Sequence, residues 1–164
     1  MSFTGMSFAQ KKPYSVTWQQ FNVHTPPLLQ IGELATKPAD GTGNSRWSVG
    51  CETLDRDYAD FSKYKQYVGE LGVRYSRIQS GWAKCEQEKG KYDFAWLDKI
   101  VDGLNEEGVR PWMCLCYGNP IYGVDRNLGA GLFIKEEVMK AWCKYVRETV
   151  KHYKGRIAMW EIWN

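Results

Sequence analysis

No apolar run in the 164-residue chain approaches the roughly 20 residues needed to span a bilayer, so no membrane-spanning helix is expected. There is no polybasic block either. The 22 basic and 19 acidic residues are dispersed and leave a net charge of +3, a balance that argues against a dedicated nucleic-acid binder. Histidine is scarce, and neither His24 nor His152 has a partner nearby in sequence. The five cysteines are odd in number and form no CxxC pair; Cys114 and Cys116 share a strand face without a second ligand pair. We therefore expect buried free thiols, no metal site and no cofactor. No cationic start precedes an apolar core of about 7–15 residues, so no signal peptide is visible. The compartment stays open, with free cysteines favouring the reducing cytoplasm. A glycine-rich phosphate loop is also missing, because Gly50-Cys51-Glu52-Thr53 is not GxGxxG.

What is present is a globular composition, 43% hydrophobic, with an aromatic share of 15%. Eight Trp and ten Tyr supply core mass, and they equally suit a groove for flat, hydroxylated ligands such as sugars. Residues 1–45 read as a loose tail followed by short extended pieces around Tyr14–Val23 and Leu28–Leu34. Lys37–Ser45 reads as a linker or surface loop. The main domain, 46–164, repeats. Trp47–Glu52 reads as a first strand. Asp57 can cap a helix carrying Phe61, Tyr64, Val68 and Leu71, Gly72 stops it, and Val73–Ile78 is a second strand. Asp93 can cap a helix carrying Phe94, Leu97, Val101 and Leu104, Gly108 stops it, and Val109–Cys116 is a third strand. Glu70-Leu-Gly-Val-Arg74 and Glu106-Glu-Gly-Val-Arg110 are one helix-stop, strand-start signature used twice. A helix over Lys135–Tyr153, with Val138, Trp142, Tyr145 and Thr149 on one face, precedes a fourth strand at Ala158–Asn164.

Alternating strands and helices at this period mean parallel strands with right-handed crossovers. A complete (β/α)8 barrel takes about 250 residues, and doubling the repeat region gives about that length. The reading is an α/β fold, the first half of a TIM barrel with four strands and three helices; a small doubly wound sheet is the rival. In a barrel, function sits at the C-terminal strand ends. The candidates there are Glu52, Asp55 and Asp57, then Arg77 and Trp82, then Tyr117, Asn119 and Tyr122, then Asn164. Each has a structural alternative: a helix cap for Asp57, a loop anchor for Trp82, a turn start for Asn119, an ion pair with Glu161 for Arg77. Lys84, Glu86, Glu88, Lys89 and Lys91 read as a solvated loop.

Jointly these residues resemble a family. Arg77-Ile-Gln-Ser-Gly-Trp82-Ala-Lys-Cys-Glu86, followed by Gly90-Lys-Tyr92-Asp93-Phe94, is similar to the second βα unit of clan A glycoside hydrolases. Tyr117-Gly-Asn119-Pro120 fits the third, and Trp160-Glu-Ile-Trp-Asn164 the fourth, which in the family continues Asn-Glu-Pro. The closest flavour is the family 39 xylosidase and iduronidase type. The resemblance implies a retaining glycosidase with two glutamates about 5–5.5 Å apart, the acid/base directly after the strand-four Asn and the nucleophile at the end of strand seven. Neither falls within the chain, so no residue is assigned as catalytic. Asn164 then corresponds to the amide for the sugar 2-hydroxyl and Arg77 to the cation near the nucleophile, with Arg74 a second candidate for that cation. Asn119, Tyr117 and Trp82 match rim positions. A carbohydrate substrate is implied, for an N-terminal portion expected to be inactive alone and to self-associate through its open sheet edges. Two other readings stand beside it: a carbohydrate-binding or structural half-barrel that closes by dimerising, and an enzyme using Glu52, Asp55 and Glu161. We expect Glu161 to face inward against a neighbouring cation, and Arg77, Asn119 and Asn164 to share one rim.

Overall fold

The structure is a computed structural model that describes residues 29–33, 35–127, 129 and 135–163. The chain divides into two compact units, Met1–Leu34 and Ala35–Asn164. The extended pieces expected at Tyr14–Val23 lie outside the described residues. Of the strand expected at Leu28–Leu34, residues 29–33 are described and form no regular element. Leu29 and Ile31 are exposed, so neither has the packed face that would hold a strand.

The second unit is built on four parallel strands, β1 (Ser48–Gly50), β2 (Tyr75–Gln79), β3 (Arg110–Leu115) and β4 (Met159–Ile162), in that spatial order. Gly50 pairs with Arg77, Arg77 with Trp112, and Cys114 with Glu161. Successive neighbouring parallel strands joined by helices are the first half of a (β/α)8 barrel, as the repeat predicts.

The helices are α1 (Lys65–Glu70), α2 (Trp82–Cys85), α3 (Ala95–Glu106) and α4 (Glu136–His152). In α3, Leu97, Ile100, Val101 and Leu104 fall at i, i+3, i+4 and i+7 and are buried on one face. They meet Ile78 and Met113 from the outward face of the sheet in one apolar core. Each such side chain contributes about 1.5–3 kcal/mol by leaving water. On α4, Val138, Tyr145 and Thr149 are buried, and Tyr145 donates its hydroxyl to Ser80 Oγ at 2.7 Å. That bond ties α4 to the end of β2. Gly72 and Gly108 both stop their helices at positive φ (67° and 74°), where a side chain would be strained.

The first helix is much shorter than its apolar spacing suggests. Asp57 is left-handed (φ 60°, ψ 25°) and closes a short turn over Leu54–Arg56, so it cannot start a helix. Asp60 is extended and accepts from the Ser62 N–H at 3.1 Å, capping a second short turn, Phe61–Lys63, ahead of α1. Leu71 ends up exposed at 61% rather than on the buried face. Asp93 does accept from the Ala95 N–H at 2.9 Å at the start of α3. The segment Lys37–Ser45 is a surface loop with a turn at Ala39–Thr42, docked through Lys37 N–H to the Glu70 carbonyl at 3.1 Å.

Candidate functional site

Strand alternation sets the two faces of the sheet. With Ile78 and Met113 turned to the helices, Arg77, Gln79, Trp112, Cys114 and Glu161 point into the barrel interior. Arg77 lies at the centre. Its Nε and Nη2 donate to the two Glu161 carboxylate oxygens at 2.7 and 2.9 Å, a bidentate pair across β3. Its Nη1 donates to Glu52, just past β1. One guanidinium thus gathers carboxylates from the first and fourth strands, as expected of an inward Glu161. The hydrogen bonds from Arg77 are the main cause of a Glu161 carboxyl held below its usual range. The same pairing, against the cost of burial, holds Arg77 firmly protonated. The competing candidate, Arg74, donates to the Gly43 carbonyl instead and lies over the Tyr75 ring.

Toward the C-terminal ends of the strands, Gln79 forms a second tier. Its amide oxygen accepts from the Thr53 N–H and from Arg56 Nη2, both at 3.1 Å, while its amide nitrogen donates to the Tyr117 hydroxyl at 2.8 Å. The Arg56 guanidinium lies 5.7 Å from the ring centres of both Tyr58 and Tyr117. Tyr117 meets Trp163 edge-on at 5.9 Å. Trp163 itself has φ 64°, a strained value for a bulky residue, directly after β4. The interior therefore carries, from the middle of the sheet upward, a fixed ion cluster, an amide and an aromatic corner. Such groups suit a polyhydroxylated ligand with an apolar ring face.

Two expected rim residues are closed off, and this corrects their placement. Trp82 is fully buried, stacked between Tyr122 (5.1 Å) and Tyr145 (5.8 Å). Asn119 is also buried, its Nδ2 donating to the Glu86 carbonyl at 2.7 Å and its Oδ1 accepting from the Ile121 N–H at 3.1 Å. Both hold loops rather than face the interior. Asn164 lies outside the described residues. Tyr117 and Arg77 stand on the inward face.

The residue misjudged most clearly is Glu86, expected on a solvated loop and found fully buried. Its carboxylate accepts from the Trp82 indole N–H, the Gly90 N–H (2.6 Å) and the Tyr122 hydroxyl (2.6 Å). Its position four residues after Trp82, one helical turn, was the available signal. Lys84 is likewise mostly buried, paired with Asp57 and donating to the Leu54 carbonyl at 3.1 Å. Gln79 and Arg56 were missed; two-residue alternation from Arg77 would have found Gln79. Asp55 is buried with Oδ1 lacking a hydrogen-bond partner, and burial pushes its carboxyl upward despite Arg56 nearby.

Comparison with known proteins agrees with this architecture. The family described as beta-galactosidase, glycoside hydrolase family 42, matches residues 53–120. A probable inactive beta-glucosidase 14 from Oryza sativa subsp. japonica is 22% identical over 119 residues, 69% of this chain and 22% of the relative. Beta-galactosidase BgaH from Haloferax lucentense is 33% identical over 54 residues, 32% of this chain and 8% of the relative. Among solved structures, a family 39 glycoside hydrolase from Bacteroides cellulosilyticus WH2 superposes with a TM-score of 0.56 at 23% identity, over 77% of this chain and 24% of that one. These findings bear out a glycosidase-like half-barrel resembling the N-terminal part of clan A glycoside hydrolases. The chain spans less than a quarter of the length of each of these relatives.

Proposed function

We propose that this chain forms the first half of the catalytic barrel of a retaining glycoside hydrolase that cleaves O-glycosidic bonds in oligo- or polysaccharides. The observation that carries the reading is the Arg77–Glu161–Glu52 cluster, set on the interior of a parallel half-barrel beneath Gln79 and Tyr117. In retaining hydrolysis a carboxylate attacks the anomeric carbon while a carboxylic acid protonates the leaving oxygen. Water then hydrolyses the glycosyl-enzyme with the acid acting as base. In the pattern this chain resembles, both carboxylates come from positions after residue 164. The present residues supply the wall: Arg77 fixes the charge, Gln79 orients Tyr117, and Asn164 would meet the sugar 2-hydroxyl.

Glu52, Asp55 and Glu161 make a poor catalytic set of their own. Glu161 and Glu52 share one guanidinium, and Asp55 is only 4% exposed. A carboxyl that Arg77 keeps ionised does not serve as a proton donor at neutral pH. A second reading, a half-barrel closed by a second copy, is favoured by the exposed β4 edge, where Ile162 is 73% exposed.

The test assays the 164-residue chain and a form extended through the following residues of its gene on aryl glycosides, with size-exclusion chromatography. Proton NMR would follow the anomer first released. Turnover with retention in the extended monomer alone is the expected result. Robust turnover by the short chain would overturn the assignment, and an inactive extended form beside a compact short-chain dimer would favour the second reading.

A further inference from the structure

A cleft lies outside the barrel interior. It opens to solvent and offers about 600 Å3 between the turns that follow β1, α2 and α3. Its floor is apolar, formed by Leu54, Phe61 and Ile100, which are buried, with the half-buried Trp96 beside them. Its walls carry four ammonium groups, Lys63, Lys65, Lys84 and Lys99, against the carboxylates of Asp57 and Asp60. Three of these cations have commitments. Lys84 pairs with Asp57 and lies 4.4 Å from the Trp96 ring centre, Lys65 pairs with Glu106, and Lys63 stands 3.9 Å from Asp60. Lys99 has no ion-pair partner among the described residues. At the lip, Tyr58 is 75% exposed and offers a flat ring.

One ammonium group without an ion pair among the described residues, Lys99, beside an apolar floor attracts an anion that also has a hydrophobic face. A cleft of this size admits a sugar ring. The carboxylates of Asp57 and Asp60 can accept from ring hydroxyls while the lysines meet an acidic substituent. We infer that this cavity binds a carboxylate-bearing saccharide, at a site separate from the barrel interior. The anion preference stands on the cavity alone; the saccharide preference rests also on the glycosidase reading.

The probes are D-glucuronate, D-glucose and inorganic sulfate, titrated into the full 164-residue chain and followed by NMR at the Trp96 indole N–H. Glucuronate is expected to shift that signal saturably, and glucose to leave it unmoved at the same concentration. Lys99→Ala, a change at an exposed position, should weaken glucuronate binding about three- to five-fold. Lys99→Glu should weaken it further, and raising salt from about 0.02 to 0.2 M should weaken it in the parent chain. Equal shifts from glucose and glucuronate, or shifts at the Trp163 indole with none at Trp96, would overturn the site. Sulfate binding as tightly as glucuronate would overturn the saccharide assignment. None of these readouts depends on hydrolysis, so failure of the glycosidase reading would show only in the activity assay.

Discussion

On the outward face of the sheet, Ile78 and Met113 meet Leu97, Val101 and Leu104 in a core from which water is nearly absent. On the inward face of the same strands, Arg77, Glu52 and Glu161 form an ion cluster that keeps contact with solvent, their side chains 14%, 38% and 27% exposed. The residues alternate along one backbone, yet the two faces do different work. The outward layer is already closed by α3 and α4 and supplies the stability of this unit. The inward layer is polar and organised around the Arg77 guanidinium. On the proposed reading, strand parity separates stability from function, and substitutions of either parity should fail in different ways.

The largest expected effect breaks the closed side. Trp82→Ala removes a fully buried indole and one of the donors to the buried Glu86 carboxylate. It should cost about 3–5 kcal/mol in chemical denaturation, a large share of the roughly 5–15 kcal/mol that holds an ordinary domain folded. Arg77→Ala on the open side should cost less, about 1–3 kcal/mol, because the two stranded carboxylates are partly solvated. It also has a pH signature. Glu161 is depressed in the folded state, so its contribution is present above the ordinary value of 4.5 and is lost as pH falls through the lower folded value. Denaturation midpoints measured from pH 7 to pH 3 should fall in the parent chain and fall less steeply in Arg77→Ala.

Asp55→Asn should act in the opposite direction. Burial raises the Asp55 carboxyl, so the ionised form opposes folding at neutral pH; the penalty fades as pH falls through the raised folded value and is gone below the ordinary value of 3.8. The variant should be more stable than the parent at pH 7, by about 1 kcal/mol or less, and equal to it near pH 3. The smallest effect belongs to the outer surface. Asp102 pairs with Arg156 at 2.9 Å while half exposed, and Asp102→Ala should change stability by under about 1 kcal/mol. A loss several times larger there would mean that the surface clamp of Asp98, His152 and Arg156 matters more than the core it covers.

Much of this was legible in the chain itself. The paired helix-stop signatures at Gly72 and Gly108 gave the βα repeat, and the apolar spacing of α3 and α4 gave their buried faces. Both depend on local periodicity, which sequence carries directly. Arg77 and Glu161 could be paired because alternation places each on a face and leaves few partners. Glu86, Gln79 and Arg56 were harder to see. A lone glutamate among lysines has the composition of a solvated loop, and its burial depends on Tyr122, 36 residues away. Trp82 and Asn119 went the other way. Their types suit a sugar site, but the fold spends both on tying loops together. The first helix is shorter than expected because Asp57 is left-handed and the first apolar turn, Phe61–Lys63, is a separate short turn capped by Asp60.

The central claim is that the inward cluster serves the reaction and the outward layer serves stability. It is tested most directly by Arg77→Lys in the extended protein, with kcat/KM on an aryl glycoside and thermal midpoint measured together. Lysine keeps the charge but cannot span Glu161 bidentately while also reaching Glu52. The account predicts a fall in kcat/KM of about tenfold or more, with a midpoint shift of no more than a few degrees. Unchanged kcat/KM, or a loss explained entirely by unfolding, would contradict it.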